Sequence, residues 1–559
     1  MTGRILLVAC GLLFGCAKAP DYSHDTVGRG GGGGSAGTTG RAGTTGTAGT
    51  TGTAGTGGGA GTGGGAMGGS AAGTTGGAGT GGVRAAGSGV LQHHNHASRD
   101  GVYIDPTLTI DAVSRLQLDP SYAPTYDGPV WAQPLYLDGV GGKPDLLFVA
   151  TETNHVLAFD GMTGAPVWDR TLGAPAIRPA SVCSAGPVGI IGTPIIDGGA
   201  RVLYVDALTG GDGPHKHLVF ALDADTGATR PGWPVDVDAT AHVGSLAFTS
   251  STQNQRGALA LLGGTLFVPY GGFGGDCGLY HGWIVAISTA DPTRVSAWAT
   301  RANGGGVWAP GGISSDGTSI YFATGNTALP ATWLDGEAVF KLSPTLEPTA
   351  DPTDYFAPAN WFALDAADAD LGGTAPVLVD MPGAPIPRLV VLFGKDTNMY
   401  VLDRDNLGGM GAPLVQSPVL WWSIMSAHAA YTTRTGTYVI SRGPVYGCIS
   451  RPASGYLFAA KIEATSPPTV TVPWCAVGLA EAGVPAVSMI DSDGTDVVVW
   501  LADEFGELFA IDGETATYVR QFPAGTIADL TRHQSPIFSK GRVFVAGNSR
   551  IYMFRPGTP

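Results

Sequence analysis

Residues 147–168 read "LFVATETNHVLAFDGMTGAPVW", and the pentad "VLAFD" within them, at 156–160, recurs seven more times along the chain. The matches are "VFALD" ending at Asp223, "IVAIS" at Ser288, "VFKLS" at Ser343, "MYVLD" at Asp403, "LFAAK" at Lys461, "LFAID" at Asp512 and "IYMFR" at Arg555. Successive pentads end 63, 65, 55, 60, 58, 51 and 43 residues apart. Each follows a second apolar, β-branched run, such as "RVLYVDA" from Arg201, "LVVLFGK" from Leu389 and "RVFVAGN" from Arg542. Upstream again stands a shorter run marked by Pro or Gly, as in "AQPLYL", "GTPIID" and "QSPIFS". Short strands repeating at this period, with turn residues between them, predict an all-β chain: an eight-bladed β-propeller of four-stranded antiparallel blades.

The turns agree with this reading. Asp138-Gly139, Asp197-Gly198, Asp316-Gly317 and Asp493-Gly494 fall between first and second strands, where a tight hairpin favours Asp-Gly. After the pentad, "DGMTG" or "DADTG" leads into an outer strand carrying Trp168, Trp233 or Trp298, spaced 65 residues apart. A large apolar ring at one position per blade is suited to wedging neighbouring blades, and Trp421 and Trp474 are its less regular later counterparts. The eighth unit ends at "IYMFRPGTP" with no outer strand of its own. A strand within residues 114–122 ("SRLQLDPSY") is expected to supply it, closing the ring and removing the open edge.

Two segments precede the propeller, which is assigned to residues 91–559. Residues 1–15 read as a secretory signal, with Arg4 followed by "ILLVACGLLFG". "LLFGC" resembles a bacterial lipobox, so Cys16 is expected to become a lipidated N-terminus. The resemblance to lipoproteins, with Ala17 after the Cys, implies a Gram-negative outer membrane, on its periplasmic or outer side. Residues 16–90 are expected to form a disordered tether, because residues 29–89 are almost entirely Gly, Thr and Ala. Such a stretch buries too little apolar surface to offset backbone ordering, and its root-mean-square reach is roughly 45 Å. Gly33-Gly34-Ser35-Ala36-Gly37 matches a nucleophile elbow by letter but lacks the strand and helix that chemistry requires. The net charge is −15 with only 30 Lys and Arg, which argues against nucleic acid as a partner.

The opening string resembles the pyrroloquinoline-quinone (PQQ) repeat shared by quinoprotein dehydrogenases and BamB-like lipoproteins, and the likeness covers residues 101–556. "WAQPLYL", "GPVGIIGTPIID", "QNQRGALAL", "GGGVWAPGG" and "GKDTNMYVLDRDNLGG" are similar to a group of secreted PQQ-like propellers. The resemblance implies a quinoprotein alcohol dehydrogenase-like fold. Catalytic members of that class hold PQQ between a Trp face and a disulfide of adjacent cysteines, with Ca²⁺ and an Asp base. This chain has no adjacent pair: Cys183, Cys277, Cys448 and Cys475 are all isolated. No cofactor is therefore expected, and PQQ with Ca²⁺ belongs to the alternative reading alone. An exported chain meets oxidising conditions, and Cys448–Cys475 and Cys183–Cys277 are the expected pairings.

Loops joining second to third strands gather with the blade-to-blade connections at one rim. They are long in "LTGGDGPHKH", "GGFGGDCGLYHG", "NTALPATWLDGE" and "GPVYGCISRPASG", whereas the opposite hairpins are expected to be tight. Long loops on a rigid scaffold are where binding resides. Gln133, Asn154, Arg256, His281, Trp308, Asn326, Lys395, His428 and Gln534 map to this rim. As a set they suit a sugar, a peptide or an anionic ligand, or else they fill the central channel and satisfy one another. Asp365, Asp368 and Asp370 in "LDAADADLGG" are weak candidates for Ca²⁺, and Asp491, Asp493 and Asp496 are read as a hairpin turn. His93, His94 and His96 belong to "HHNHASRDGVYIDPTLT", read as the opening segment of the propeller rather than a metal site. The preferred function is a non-enzymatic, lipid-tethered module binding an envelope protein or glycan at its loop-rich rim. The alternatives are a BamB-like outer-membrane assembly scaffold and a PQQ-dependent oxidoreductase.

Overall fold

In the computed structural model, residues 89–558 are described except 179–185, 275–277, 348–349, 446–447, 450–455, 477–478 and 480–482. The signal, Cys16, all but the end of the tether, Cys183 and Cys277 lie outside them. The pentads are third strands, and each is buried on both faces; His155–Asp160 is buried at its four central residues. That double burial explains why they read as continuous apolar runs rather than alternating ones. Blade 1 contains, from the axis outward, Leu135–Leu137, Leu146–Ala150, His155–Asp160 and Pro166–Thr171. Seven further sheets repeat this order around the ring. The closing strand is Leu116–Leu118, antiparallel to Ile551–Pro556 on the outside of blade 8, within the stretch the sequence assigns to it. One apolar cluster then unites Trp500 of blade 7, Phe544 of blade 8 and Tyr136 of blade 1, so first and last blades share a core.

The pentad's terminal Asp has a local cause. Asp160 accepts from the amides of Met162 and Thr163 at 3.0 and 2.7 Å, and Asp223 and Asp512 cap the equivalent turns. The turn ends in a positive φ, carried by Gly164 and Gly227, and in blade 7 by Ala516. The wedging role expected of tryptophan is seen where Trp168 donates to Ala224 of blade 2 and Trp298 packs 5.1 Å from Phe322 of blade 4. Trp474 donates to Gly513 of blade 7. Trp421 departs from the pattern: it lies in the connection between blades 5 and 6 and is 44% exposed. Hairpins of the opposite rim are short in most blades, but those of blades 1, 5 and 7 are longer, spanning 138–145, 381–387 and 490–497. In blade 1 the extra length is ordered by Asp145, which accepts from the Gly139 amide at 2.7 Å and the Tyr136 hydroxyl at 2.9 Å.

The segment 89–105 occupies the axis of the ring. Val90 bridges to Tyr136 of blade 1, and the Leu91 carbonyl accepts from Ile196 of blade 2. Ala97, Ser98, Asp100 and Gly101 carbonyls then accept from Ser315, Leu378, Ala430 and Val487, on blades 4, 5, 6 and 7 in turn. Val102–Ile104 pairs in parallel with Ala486–Met489, and Asp105 accepts from Gly541 in the blade 8 hairpin. Arg99 is 1% exposed and donates to the carbonyls of Leu259 (2.7 Å), Ile313 (2.9 Å) and His93 (2.8 Å), which joins blades 3 and 4 to the plug. The propeller's ordered contacts thus begin at Val90, inside the stretch read as tether. The plug enters and leaves beside hairpin-rim residues. Leu91 lies against Gly198, and Asp105 lies beside Gly541. Among the described residues no helix is long and apolar enough to cross a membrane.

Candidate functional site: the mouth above the axial plug

Residues just ahead of first strands, and just after second strands, face the mouth at the loop-rich rim. Trp308, ahead of Ser314–Ser315, has the Arg256 guanidinium 5.6 Å and the Lys395 ammonium 5.2 Å from its ring. His533, ahead of the blade 8 inner strand, lies 5.9 Å from the Trp131 ring. Enclosure in the mouth and the charges of Arg256, Arg442 and Arg532 push His533 down to about 3, so its imidazole is neutral at physiological pH. The charges of three arginines, two from blade-to-blade connections and one from the end of a second strand, therefore act on His533. Beneath it stands the plug. Burial lowers His93 well below its ordinary value, and His94, His533 and Arg99 lower it further. His93 and His94 stack at 4.3 Å, and neither His93 ring nitrogen has a hydrogen-bond partner among the described residues. The floor of the mouth is thus uncharged imidazole above a buried guanidinium that pairs with no carboxylate among the described residues.

The nine rim candidates divide into three groups. Arg256, Trp308 and Lys395 come together at the mouth. Gln133, Asn154, His428 and Gln534 are buried and act as mortar. Gln133 accepts from the His94 amide (3.1 Å) and donates to Gln92 (3.2 Å), clamping the plug. Asn154 donates to Leu208 of blade 2, and Gln534 donates to Val130 and Ala132 of blade 1. His428 bonds the Val391 carbonyl at 3.1 Å, and burial pushes it down to about 4. The His281 ring bonds the Thr300 carbonyl at 2.8 Å, and the Asn326 backbone amide donates to Asp370. Sequence reasoning missed Trp131, Arg442, Arg532 and His533. Their signal was position: Trp131 and His533 precede Gln133 and Gln534 in matching connectors, and Arg442 stands at the end of a second strand, next to where Lys395 follows one.

The acidic candidates are separated. Asp365 accepts from the Thr327 amide and hydroxyl, while Lys395 pairs with Asp370 and, at 3.0 Å, with Asp368. Burial lowers Lys395, but the two carboxylates outweigh it and hold the ammonium charged. Asp491 receives the amides of Asp493 and Thr495 at 3.0 Å each, as a turn. Among the described residues no three His, Cys, Asp or Glu side chains form a group able to hold a metal ion. Cys448 and Cys475 form a disulfide across blade 6, with Cα atoms 6.0 Å apart. These residues do not fit a PQQ seat of the kind the sequence resemblance implies. The disulfide joins positions 27 apart rather than adjacent ones, and an ammonium stands between the carboxylates. A Ser-His-Asp arrangement is not formed near His217 either. Its ring pairs with Asp206 at 2.6 Å, but Ser250 accepts from the His217 backbone amide and its hydroxyl goes to Asp238.

No protein-family model matches the chain, and no curated protein matches it by sequence. Solved structures do match in fold. A europium-containing methanol dehydrogenase aligns at 15% identity over 84% of this chain and 98% of its own, with a TM-score of 0.58. The quinohaemoprotein alcohol dehydrogenase of Comamonas testosteroni aligns at 15% identity, covering 84% of this chain and 82% of its own, TM-score 0.54. One from Pseudomonas putida HK5 gives 13% over 84% and 81%, TM-score 0.57. The chain has the eight-bladed fold of the quinoprotein alcohol dehydrogenase-like, or PQQ-like, propellers.

Proposed function

We propose that this protein is a ligand-binding propeller that takes an anionic ligand at its mouth without transforming it. The observation that carries the reading is the pair of indoles at the mouth, Trp308 with the Arg256 guanidinium 5.6 Å from its ring and Trp131 with His533 5.9 Å away, where the charges of Arg256, Arg442 and Arg532 all act on His533. In a chain of net charge −15 such a cluster focuses negative ligands to one place. Arginine forks suit carboxylate or phosphate, and the indole faces supply apolar area. The lipobox-like Cys16 and the Gly/Thr/Ala stretch support tethering in the envelope of a Gram-negative cell, with an envelope component as partner.

The test is calorimetric titration of the full chain with citrate, inorganic phosphate and glucuronate, against Arg256→Gln and Arg532→Gln variants. Saturable binding of at least one anion, weakened about tenfold or more by either substitution, is expected. Absence of binding to all three overturns the reading. Dye reduction by the chain supplied with PQQ and Ca²⁺ would replace it with the oxidoreductase alternative.

A further inference from the structure

Trp421 and Trp422 are 44% and 49% exposed, side by side, and Met425 beside them is 43% exposed. Exposed tryptophans in tandem mark an interaction surface when their backbone is held. Here it is. The Trp421 amide donates to Pro444 at 3.1 Å, Leu420 bridges to Val445, and Ile424 is buried behind them. Arg442 locks the same segment, donating from Nε to the Ser426 hydroxyl (3.2 Å) and from Nη2 to the Met425 carbonyl (3.3 Å). That arginine is one of the three whose charges act on His533, and Arg256, another of them, covers Trp308. A band of indoles and cations is thereby defined by Trp308 with Arg256, by Arg442, and by the tryptophan pair whose segment Arg442 holds.

Resting on the anion-binding reading, we propose that this band is the docking surface for an acidic polysaccharide, a chain of carboxylate-bearing sugars. Such a polymer presents both chemistries at the spacing of its own repeat. The C–H faces of its rings lie on indoles, and its carboxylates enter guanidinium forks. The two indoles are about half exposed, which leaves ring area open to the C–H face of a sugar. A lone small anion would use the arginines and leave Trp421 and Trp422 unexplained. The rest of an acidic protein repels the polymer, so charge complementarity confines it to this band.

The full chain is titrated with hexagalacturonate, galacturonate monomer, neutral maltohexaose and phosphatidylglycerol vesicles. The hexamer is expected to bind more than tenfold tighter than the monomer and to weaken with salt, while maltohexaose and vesicles do not bind. Trp421→Ala/Trp422→Ala should weaken the hexamer about tenfold and leave the monomer unchanged, and Arg532→Gln, at an exposed site, should weaken both. Melting curves confirm that the variants fold, and Arg532→Gln keeps the test valid if the tryptophan variant does not. Equal affinity for hexamer and monomer overturns the polysaccharide and leaves the anion reading standing. Equal binding of maltohexaose, or vesicle binding that needs the tryptophans, overturns it in favour of a neutral glycan or a lipid surface. Failure of every anion overturns both readings.

Discussion

The two rims of this ring are built from the same strands and do different things. At the hairpin rim, connections are ordered by carboxylates accepting backbone amides, and the plug's two ends fill the opening. At the loop-rich rim, the charges of three arginines act on a neutral histidine, Trp131 and Trp308 stand beside these groups, and Trp421 and Trp422 lie exposed on the connection between blades 5 and 6. A propeller blade leaves both ends of its axis available, and residues 89–105 close one of them. The contrast gives the proposed function a direction: one face is sealed with hydrogen bonds, and the other is equipped with charge and aromatic surface.

The most damaging change to the sealed face should be Arg99→Met. It removes the donors to three buried carbonyls, so a loss of about 3 kcal/mol is expected in urea denaturation, with faster hydrogen exchange across residues 89–105. An unchanged midpoint would mean the plug is dispensable. On the equipped face, removing the Cys448–Cys475 bridge should cost about 2–4 kcal/mol, because the disulfide ties a rim loop to an outer strand. Melting of Cys448→Ser/Cys475→Ser against the parent measures it.

The pH response separates the two faces further. Burial pushes His94 and His428 down to about 4, against about 6.5 when unfolded. Between those values the unfolded chain binds protons that the folded one does not. Their contribution is therefore complete above about 6.5 and declines as pH falls toward 4. His217 works in the opposite sense, because Asp206 raises it against the effect of burial. His428→Gln should flatten the fall in melting temperature between pH 7 and pH 4, and an identical slope would contradict the buried, neutral assignment. The smallest effect belongs to Lys143→Ala on the hairpin rim. Its exposed ion pair with Asp225 is worth under about 1 kcal/mol, and anion binding at the mouth should not change.

Much of this was legible in the sequence. The pentads gave blade number because third strands are buried on both faces, and "SRLQLDPSY" gave ring closure because a strand without a partner is an open edge. Trp308 and Lys395 were recognisable from their places beside strand ends. The plug was not legible. Residues 89–105 carry no periodic pattern, since their bonds run from successive carbonyls to successive blades and spare the side chains any alternation. His533 and Arg532 escaped for a related reason: they belong to the site only because the ring brings distant connectors to one axis. For Gln133 and Gln534 the sequence left rim chemistry and channel filling both open; their amides are taken up by the plug and by blade 1, a difference that burial decides and sequence does not display.

The central claim is that ligand contacts fall on one face alone. Hydrogen exchange of the full chain with and without hexagalacturonate tests this directly. Protection is predicted at residues 129–133, 255–257, 420–426, 440–444 and 531–534, with none at the hairpin-rim residues 138–145, 197–201 and 539–542. Protection of the hairpin rim, or of both rims equally, would contradict the account.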